Sequence, residues 1–430
     1  MKQKKFKQSV FLFGAVLYVC GLVGCGKRPE NDTVSTQTAV PTQVEDEVTS
    51  TIVPDLTRVP MPEAIISPAP ATPVAPEPVT FPVEINEMSF PELLLRRKAL
   101  AADADGDTVL SEEEAKTVTK LHLKKLADGD AKDAMEDEPL PEYSVTDFVF
   151  DLEGIQYFTE LSELTVNLLG GEAFVEGGNV EEILVETKNF SRLYECTKLK
   201  KLFLYEVDIP ALDISGWSDL KRLEVNCMYH LKSISVGNHE TLSALWISEC
   251  HALETIDLSE LERIKTVDIV RNDSLKKVTF GEANGKLETI QLNGLRSLNE
   301  VDVSRLQHLK TLNLTDVALA GLDVSKNTEL GQLCAEGLHL DTLDLRNNPK
   351  ISYLINDRDS FRTILLPEEN CIDMIRWTNS AVTEFPIENL NPETLTGIDI
   401  QGTAIKKLDV SGYPNLEYLY YDEDVTEIVR

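Results

Sequence analysis

The stretch LKKLFLYEVDIPALDISGWSDLKRLEV, residues 199–225, contains the starts of two copies of one pattern. Leu199, Leu202 and Leu204 have the form LxxLxL, which returns at Leu220. Further copies, with some substitutions, begin at Leu242, Ile264, Leu287, Leu309, Leu330, Ile351, Ile372, Leu395 and Leu416. A regular period of 21–23 residues predicts a solenoid, in which each coil buries its apolar face only by stacking on its neighbours.

The pattern extends towards the N-terminus and also recurs within each coil. An earlier copy begins at Leu161, and Val118 begins a candidate first coil. About ten residues after each start, a second apolar segment follows, as in Ile209, Leu212 and Ile214. Inward residues two apart are typical of half-buried strands, so we expect two extended segments per coil and a mainly-β parallel solenoid.

Aspartate recurs between two apolar residues of the second segment, where its side chain is expected to point outward. Its positions are Asp213, Asp257, Asp302, Asp323, Asp344 and Asp409. Carboxylates stacked about 4.8 Å apart would repel one another. We interpret this row as a solvated face, with weak divalent-ion binding as the alternative.

The stretch DADGDTVLSEEE, residues 103–114, precedes the array and has the spacing of a calcium loop. Such a twelve-residue loop supplies oxygen ligands from positions 1, 3, 5, 7, 9 and 12. The corresponding residues are Asp103, Asp105, Asp107, Val109 (through its carbonyl), Ser111 and Glu114. Position 6 should be glycine with a positive φ, but this chain has Thr108, at a cost of roughly 1–2 kcal/mol. The pattern predicts calcium as a structural cofactor and leaves open whether Thr108 abolishes its binding.

Two kinds of motif resemble internalin-like leucine-rich-repeat surface proteins of Gram-positive bacteria. The first is the second-segment ending LDIS (212–215), IDLS (256–259), VDVS (301–304) and LDVS (322–325 and 408–411). The second is DLEGIQYFTEL (151–161) together with the calcium-loop-like stretch before it. The resemblance implies a curved leucine-rich-repeat solenoid over 118–430, behind a small helical, EF-hand-like N-terminal cap over 81–125. In one respect the chain departs from the family, because the asparagine of LxxLxLxxN is expected to be absent. Its position holds Val207, Met228, Cys250, Val317, Leu338 and Thr403.

Residues 1–24 have the pattern of a signal peptide. Four lysines precede an apolar run at 10–23, which is shorter than the about 20 residues that a membrane span needs. The run ends in LVGC (22–25), which resembles a bacterial lipobox and implies cleavage before Cys25 and lipidation of its sulfur. An uncleaved N-terminal anchor is the alternative. The Pro- and Thr-rich residues 25–80 are predicted to form a disordered tether.

The chain is strongly acidic, with a formal net charge of −32 that becomes −36 once the four lysines of residues 1–24 are removed. This charge argues against nucleic acid as a partner and leaves the lipid as the membrane attachment. The cysteines beyond residue 25 are scattered through a long chain, so unbridged thiols are expected. One group on adjacent coils, Cys227, His230, Cys250 and His251, has a zinc site or a Cys227–Cys250 disulfide as alternatives.

Binding residues are sought on the sheet, since the chain has no HExxH, GxSxG, Walker or dinucleotide-binding motif. If the LxxLxL strands form the concave sheet, as the resemblance implies, alternate residues of each strand face outward. The candidate ligand-binding residues are then Phe203, Tyr205, Arg222, Glu224, Trp246 and Asp268. Exposed aromatic residues with an arginine are typical of interface hot spots.

A second candidate surface lies late in the array. It comprises Tyr353, Arg376, Trp377, Tyr418 and Tyr420. Trp377 falls at an inward position of the repeat. The two last tyrosines have an alternative interpretation as the cover of the final coil, because the end of a repeat array must be capped.

These patterns together predict a lipid-anchored binding or adhesion protein on the extracellular face of the bacterial membrane, monomeric and without catalysis. Its ligand would be a protein or a glycan on the concave face. A non-catalytic envelope scaffold is one alternative. A cell-wall-acting hydrolase is another, with Glu224 and Asp268 about 10 Å apart as its paired carboxylates. The composition indicates no reason for a raised carboxylate pKa there.

Overall fold

The computed structural model describes residues 79–126, 149–169, 172–174, 180–182, 185–338, 340–358, 363–380 and 382–430. The predicted signal peptide, Cys25 and nearly all of the predicted tether lie outside these ranges, as does the acidic insertion at 127–147. Within the described ranges, no helix has both the length and the apolar composition needed to cross a membrane.

Strands dominate the described part of the chain, with two α-helices, α1 (Leu93–Ala102) and α2 (Glu112–Ala115). The strands, in chain order, are β1 (Val83–Glu84), β2 (Val109–Leu110), β3 (Lys120–Leu126), β4 (Val149–Asp151), β5 (Glu163–Leu169), β6 (Glu172–Phe174), β7 (Val180–Glu182), β8 (Glu186–Lys188), β9 (Lys201–Tyr205), β10 (Ala211–Asp213), β11 (Arg222–Asn226), β12 (Ser233–Ser235), β13 (Ala244–Ser248), β14 (Thr255–Asp257), β15 (Thr266–Val270), β16 (Lys277–Thr279), β17 (Thr289–Asn293), β18 (Thr311–Thr315), β19 (Gln332–Glu336), β20 (Thr342–Asp344), β21 (Tyr353–Asp357), β22 (Thr363–Leu365), β23 (Met374–Thr378), β24 (Gly397–Asp399), β25 (Lys407–Asp409), β26 (Tyr418–Tyr420) and β27 (Glu427–Val429). Short 3₁₀-helices lie at Ile155–Tyr157, Phe190–Glu195, Glu282–Asn284 and Ile387–Asn389.

One long parallel sheet of 13 strands contains one strand from each predicted coil. Its order is β3-β5-β9-β11-β13-β15-β17-β18-β19-β21-β23-β24-β26. The chain therefore adds each new strand beside the previous one, as a solenoid requires. Both early copies of the repeat, which begin at Val118 and Leu161, become full members of the sheet as β3 and β5.

The register of the long sheet places equivalent residues of successive coils side by side. Leu202, Leu223, Leu245 and Val267 are Cα partners and are fully buried. The residues between them face away from the core, in the alternation of a sheet with one buried face. The predicted phase of the repeat is therefore confirmed.

The second segments form only short paired strands. The pairs are β4–β8, β10–β12, β14–β16, β20–β22 and β25–β27. Within the described residues, three coils have no strand there, although Val303, Val324 and Phe385 are buried. The expected inward residues of the second segment are therefore present and buried, but not every coil forms a hydrogen-bonded strand there.

Each long-sheet strand from β9 to β23 ends at a residue with left-handed backbone. These residues are Glu206, Cys227, Glu249, Arg271, Gly294, Asp316, Gly337, Arg358 and Asn379, with φ between 51° and 67°. Each donates its backbone N–H to a backbone carbonyl of the next coil, as Glu206 does to Asn226 at 3.0 Å. After β24, Gly402 (φ 69°) instead donates to the Asp422 carboxylate at 2.7 Å. This row of hydrogen bonds gives each turn amide a partner in the next coil.

The asparagine expected to be absent is present in one coil. Asn272 occupies the family position, is fully buried, and donates to the carbonyls of Ile247 and Val270 while accepting from the Cys250 N–H. A second set of buried asparagines follows the second segments and donates to carbonyls there. Its members are Asn284, Asn327, Asn348 and Asn370. Side-chain amides thus provide hydrogen bonds to the backbone after the second segments, a position at which the repeat pattern did not predict them.

The residues before the array pack against its first coils. Strands β1 and β2 pair antiparallel, and Leu95, Ala99 and Leu110 are fully buried. Phe90 lies against Tyr157 and Phe158, and a Cβ on Gly154 would approach the Phe90 ring to 2.4 Å. Only glycine therefore fits where this segment meets the coil, and the segment covers apolar surface that stacking alone would leave open.

Candidate functional site

Four predicted binding residues form one row across four adjacent strands. Phe203, Glu224, Trp246 and Asp268 are successive Cα partners on β9, β11, β13 and β15. Neighbouring strands are about 4.8 Å apart, so this row is roughly 14 Å long. Tyr205 and Arg222 flank it on the same face. We call these six residues the sheet-face cluster.

Arg222 is stacked between two aromatic rings of the cluster. Its guanidinium carbon lies 4.2 Å from the Trp246 ring centroid and 5.2 Å from that of Phe203. Its Nη2 also contacts Glu224 Oε2 at 3.3 Å. A guanidinium over aromatic faces is attracted by their quadrupoles, and the carboxylate adds a charge-assisted hydrogen bond.

Glu224 is a buried carboxylate on the sheet face, with a side chain only 4% exposed. The Tyr205 hydroxyl donates to its Oε1 at 2.5 Å. Burial raises the pKa of Glu224 to about 7, and the negative charge of Asp268 contributes to the shift. Burial of this carboxylate depends on neighbouring strands, so the raised pKa could not be predicted from the repeat pattern.

Asp268 lies on the other side of Trp246 and has no cation beside it. Its Oδ1 is buried and accepts no hydrogen bond within the described residues. Burial raises the pKa of Asp268 to about 6. A buried oxygen without a partner costs about 1–3 kcal/mol, so this carboxylate weakens the fold at neutral pH.

The later part of the same row is less suited to binding. Gln291 and Asn313 follow Asp268 as neutral amides. Trp377 is buried, as its inward position predicts, and Arg376 Nε lies 3.6 Å from Asp399. Tyr418 and Tyr420 are exposed but lie on β26, the edge strand, which agrees with either a ligand contact or a cover for the last coil. Tyr353, Arg376, Tyr418 and Tyr420 lie on the same face of β21, β23 and β26, and Trp377 is the one member of the second candidate surface that points into the core.

The predicted calcium loop brings three of its four carboxylate ligands together. One oxygen each of Asp103, Asp105 and Glu114 lies within 4.8 Å of the others. Asp107 instead accepts the Val109 N–H at 2.8 Å. The Ser111 hydroxyl donates to Glu114 at 2.7 Å and caps α2. Helix α2 is a single turn.

The backbone of this loop has the turn that position 6 requires. Thr108 has φ of 65°, its N–H donates to Asp103 Oδ2 at 2.9 Å, and Leu110 at position 8 is fully buried. The pKa of Asp105 is raised: the Asp107 N–H opposes the shift, but desolvation and neighbouring carboxylates outweigh it. Hydrogen bonds from Ser111 lower the pKa of Glu114. The carboxylates thus converge against their mutual repulsion.

The cysteine–histidine group does not converge. His230 Nδ1 lies 2.8 Å from Asp208, and His251 Nε2 lies 3.3 Å from Glu249. Cys227 donates to the Asn226 side chain, while Cys250 is buried and donates to Ser248. Both cysteines are free thiols. The geometry gives no support to a zinc site or a disulfide at these positions.

The outward aspartates of the second segments have a local structural role. Asp213, Asp257, Asp302, Asp323 and Asp409 each accept the backbone N–H of the serine two residues on, at 2.8–3.0 Å. Asp344 accepts in the same way from Arg346 and also pairs with its guanidinium. The recurring Asp-x-Ser is therefore a turn cap, which explains the motif without a bound ion.

Comparison with protein-family models and with curated proteins found no match. Among solved structures, the functional domain of InlJ from Listeria monocytogenes is 18% identical, with 81% of this chain and 77% of that one covered and a TM-score of 0.41. The internalin InlF of Listeria monocytogenes is also 18% identical, with 81% and 94% covered and a TM-score of 0.44. At such low similarity, the parallel β solenoid is assigned from this chain's own repeats and strand order.

Proposed function

We propose that this chain is a lipid-anchored extracellular binding protein that takes a protein or glycan ligand on the sheet-face cluster. The observation that carries the proposal is the Arg222 guanidinium held between Phe203 and Trp246 beside the Glu224 carboxylate. Arginine and tryptophan are the residues most enriched in binding hot spots. The lipid at Cys25 and the monomeric state follow from the sequence arguments alone.

The experiment uses the full chain against a displayed random-peptide library and a glycan array. Trp246→Ala removes the central ring of the cluster, and we expect it to weaken retained ligands about tenfold or more. Tyr418→Ala is the matched control, since it removes an exposed ring at the far edge of the same sheet. Ligands that ignore Trp246→Ala, or no ligand on either panel, would favour the scaffold alternative.

We further propose that the loop at 103–114 binds calcium in a structural role. Its converging donors are all carboxylate oxygens, which suit a hard cation such as calcium. Calcium would neutralise charges that now repel, and would hold α2 where the chain enters β3. Asp103, Asp105 and Glu114 would be the first ligands, and Asp107, Val109 and Ser111 would complete the set after local rearrangement.

Calorimetric calcium titration of the full chain tests this role, with thermal melting beside it. Wild type should show one saturable site and a raised melting temperature, and Asp103→Ala should lose both. Glu112→Gln is the control, because it removes a nearby charge that is not among the six ligands. Absence of a site at millimolar calcium would show that Thr108 breaks the loop.

The hydrolase alternative gains one observation, the raised pKa values of Glu224 and Asp268. An inverting glycosidase needs a general acid with a raised pKa and a general base about 6.5–9.5 Å from it, with room for sugar and water between them. Here Trp246 occupies the row position between the two carboxylates. Polymer-degrading activity lost in Glu224→Gln would support the enzyme; activity unchanged in that variant would exclude this pair.

A further inference from the structure

The row Phe203, Glu224, Trp246 and Asp268 alternates aromatic ring and carboxylate. The first three residues already hold a cation, because the Arg222 guanidinium lies over both rings and contacts Glu224. Trp246 and Asp268 repeat the same pair one step further along. Within the described residues, Asp268 Oδ1 is buried without a hydrogen-bond partner, and no ion pair includes Asp268. Arg222 thus supplies the cation beside Glu224 and covers one part of the Trp246 ring, whereas the described residues supply no cation beside Asp268.

We propose that Asp268 and the Trp246 ring form a subsite for an arginine side chain of a protein ligand. The inference rests on the proposed function, since it specifies the ligand that the sheet-face cluster would take. A guanidinium suits the position for two reasons. It is planar and weakly hydrated, so it stacks on an indole at low cost, and its donors match a carboxylate.

Two features of the surroundings support a cation over a neutral group. Gln291, the next residue in the row, is a neutral amide, so no positive side chain competes from that side. The chain as a whole carries −32, which favours encounters with basic partners. A glycan would offer hydroxyls to the same oxygens but no charge to balance them.

The occupied half of the row shows what the vacant half lacks. Glu224 accepts from Tyr205 and meets Arg222, whereas the buried oxygen of Asp268 meets neither a hydroxyl nor a cation. A ligand arginine would give Asp268 what Arg222 gives Glu224. Protonation of Asp268 competes with this cation, so binding should strengthen as pH rises from about 5 to 7.5. Arg222 and Glu224 are the charged groups that face this position.

The probes are hexa-arginine and hexa-citrulline, which differ in charge but scarcely in shape, titrated into the full chain. Tryptophan fluorescence reports the site, because Trp217 and Trp377 are each 1% exposed and only Trp246 faces outward. We expect hexa-arginine to bind at least tenfold more tightly than hexa-citrulline. Asp268→Asn should remove most of this preference. Asp257→Asn removes the same charge from a turn cap in the preceding coil, and should change binding less than twofold.

Three outcomes would overturn the subsite. They are equal binding of the two peptides, equal weakening by Asp268→Asn and Asp257→Asn, and no fluorescence change with hexa-arginine. Asp268→Asn should melt no lower than wild type, so a loss of binding is not a loss of fold. Peptides or glycans that need Trp246 but no arginine would sink this inference and leave the proposed function standing. If Trp246→Ala changes no binding at all, both fail.

Discussion

Carboxylates lie on both sides of the coils, in opposite surroundings. On the second segments, Asp302 and Asp323 accept hydrogen bonds from the serine two residues on, and these bonds lower the pKa of each carboxyl. On the long sheet, Glu224 is buried and Asp268 is half-buried with its Oδ1 inside, and this burial raises their pKa values to about 7 and about 6. One residue type thus stabilises a turn on one side and destabilises the fold on the other. Groups held at a cost without a structural return are candidates for contact with a ligand.

The largest expected effect tests how much a fully partnered polar group contributes on the second-segment side. Asn284 is buried, donates to the Leu258 and Leu261 carbonyls and accepts from the Gly281 N–H. Asn284→Ala should lower the free energy of unfolding by about 3 kcal/mol, because three buried backbone groups lose partners. Urea unfolding measures the change.

Asn284→Leu is the matched control. The neighbouring coils carry buried leucines at the equivalent positions, Leu261 and Leu306, so leucine should fit the volume without restoring the hydrogen bonds. We expect it to recover part of the loss, roughly 1 kcal/mol, through burial of apolar surface. Alanine and leucine variants both within about 0.5 kcal/mol of wild type would contradict the importance of this amide.

The second prediction concerns the pH dependence of stability that Glu224 and Asp268 cause on the long sheet. A carboxyl with a raised folded pKa binds more protons when folded than when unfolded, so its contribution to stability falls as pH rises. For Glu224 and Asp268 the window runs from about pH 4 to about pH 7. The double variant Glu224→Gln/Asp268→Asn should therefore gain about 2–3 kcal/mol relative to wild type between pH 4 and pH 7.5. Parallel stability curves for the two proteins would show that burial does not disfavour these charges.

The smallest expected effect concerns the aspartates that cap the turns of the second segments. Asp323→Ala removes the acceptor for the Ser325 N–H at an exposed turn and should cost about 0.5–1 kcal/mol at pH 7. Since the folded pKa is lowered, the advantage of the aspartate is present above its ordinary pKa and fades as pH falls through the folded value. Asp323→Asn keeps the acceptor and should remain near wild type. Thermal melts at pH 7 and pH 3 compare the three proteins.

Much of the architecture followed from the repeat period. The predicted starts at Leu199 and Leu220 precede β9 and β11 by two residues each, and even the doubtful start at Val118 leads into β3. Apolar periodicity identifies these positions, because a parallel coil has one way to bury them. The left-handed turn residues could not be predicted. Glu206 and Arg271 have no preference for positive φ, and the next coil's carbonyl determines their conformation.

The repeat pattern predicted which residues share the outward face of the candidate site, but it did not predict their electrostatic interactions. Outward phase alone placed Phe203 and Trp246 on one face. The stacking of Arg222 and the contrast between partnered Glu224 and unpartnered Asp268 depend on which side chains meet across strands. The buried asparagines after the second segments recur visibly in the sequence. The resemblance did not predict them, because it implies an asparagine at another position of the repeat.

The hydrogen bonds of the left-handed turns give the array a direction. Every turn from Glu206 to Asn379 draws its acceptor from the coil that follows, so each coil depends on its successor for one bond. At Gly402 the acceptor is the side chain of Asp422 rather than a main-chain oxygen. If a whole interior coil were duplicated, the copy would keep both the turn N–H that donates and the backbone carbonyl that accepts, at matching positions of the repeat. The array can thus gain interior coils by gene duplication, and the contact between Gly402 and Asp422 would remain unchanged.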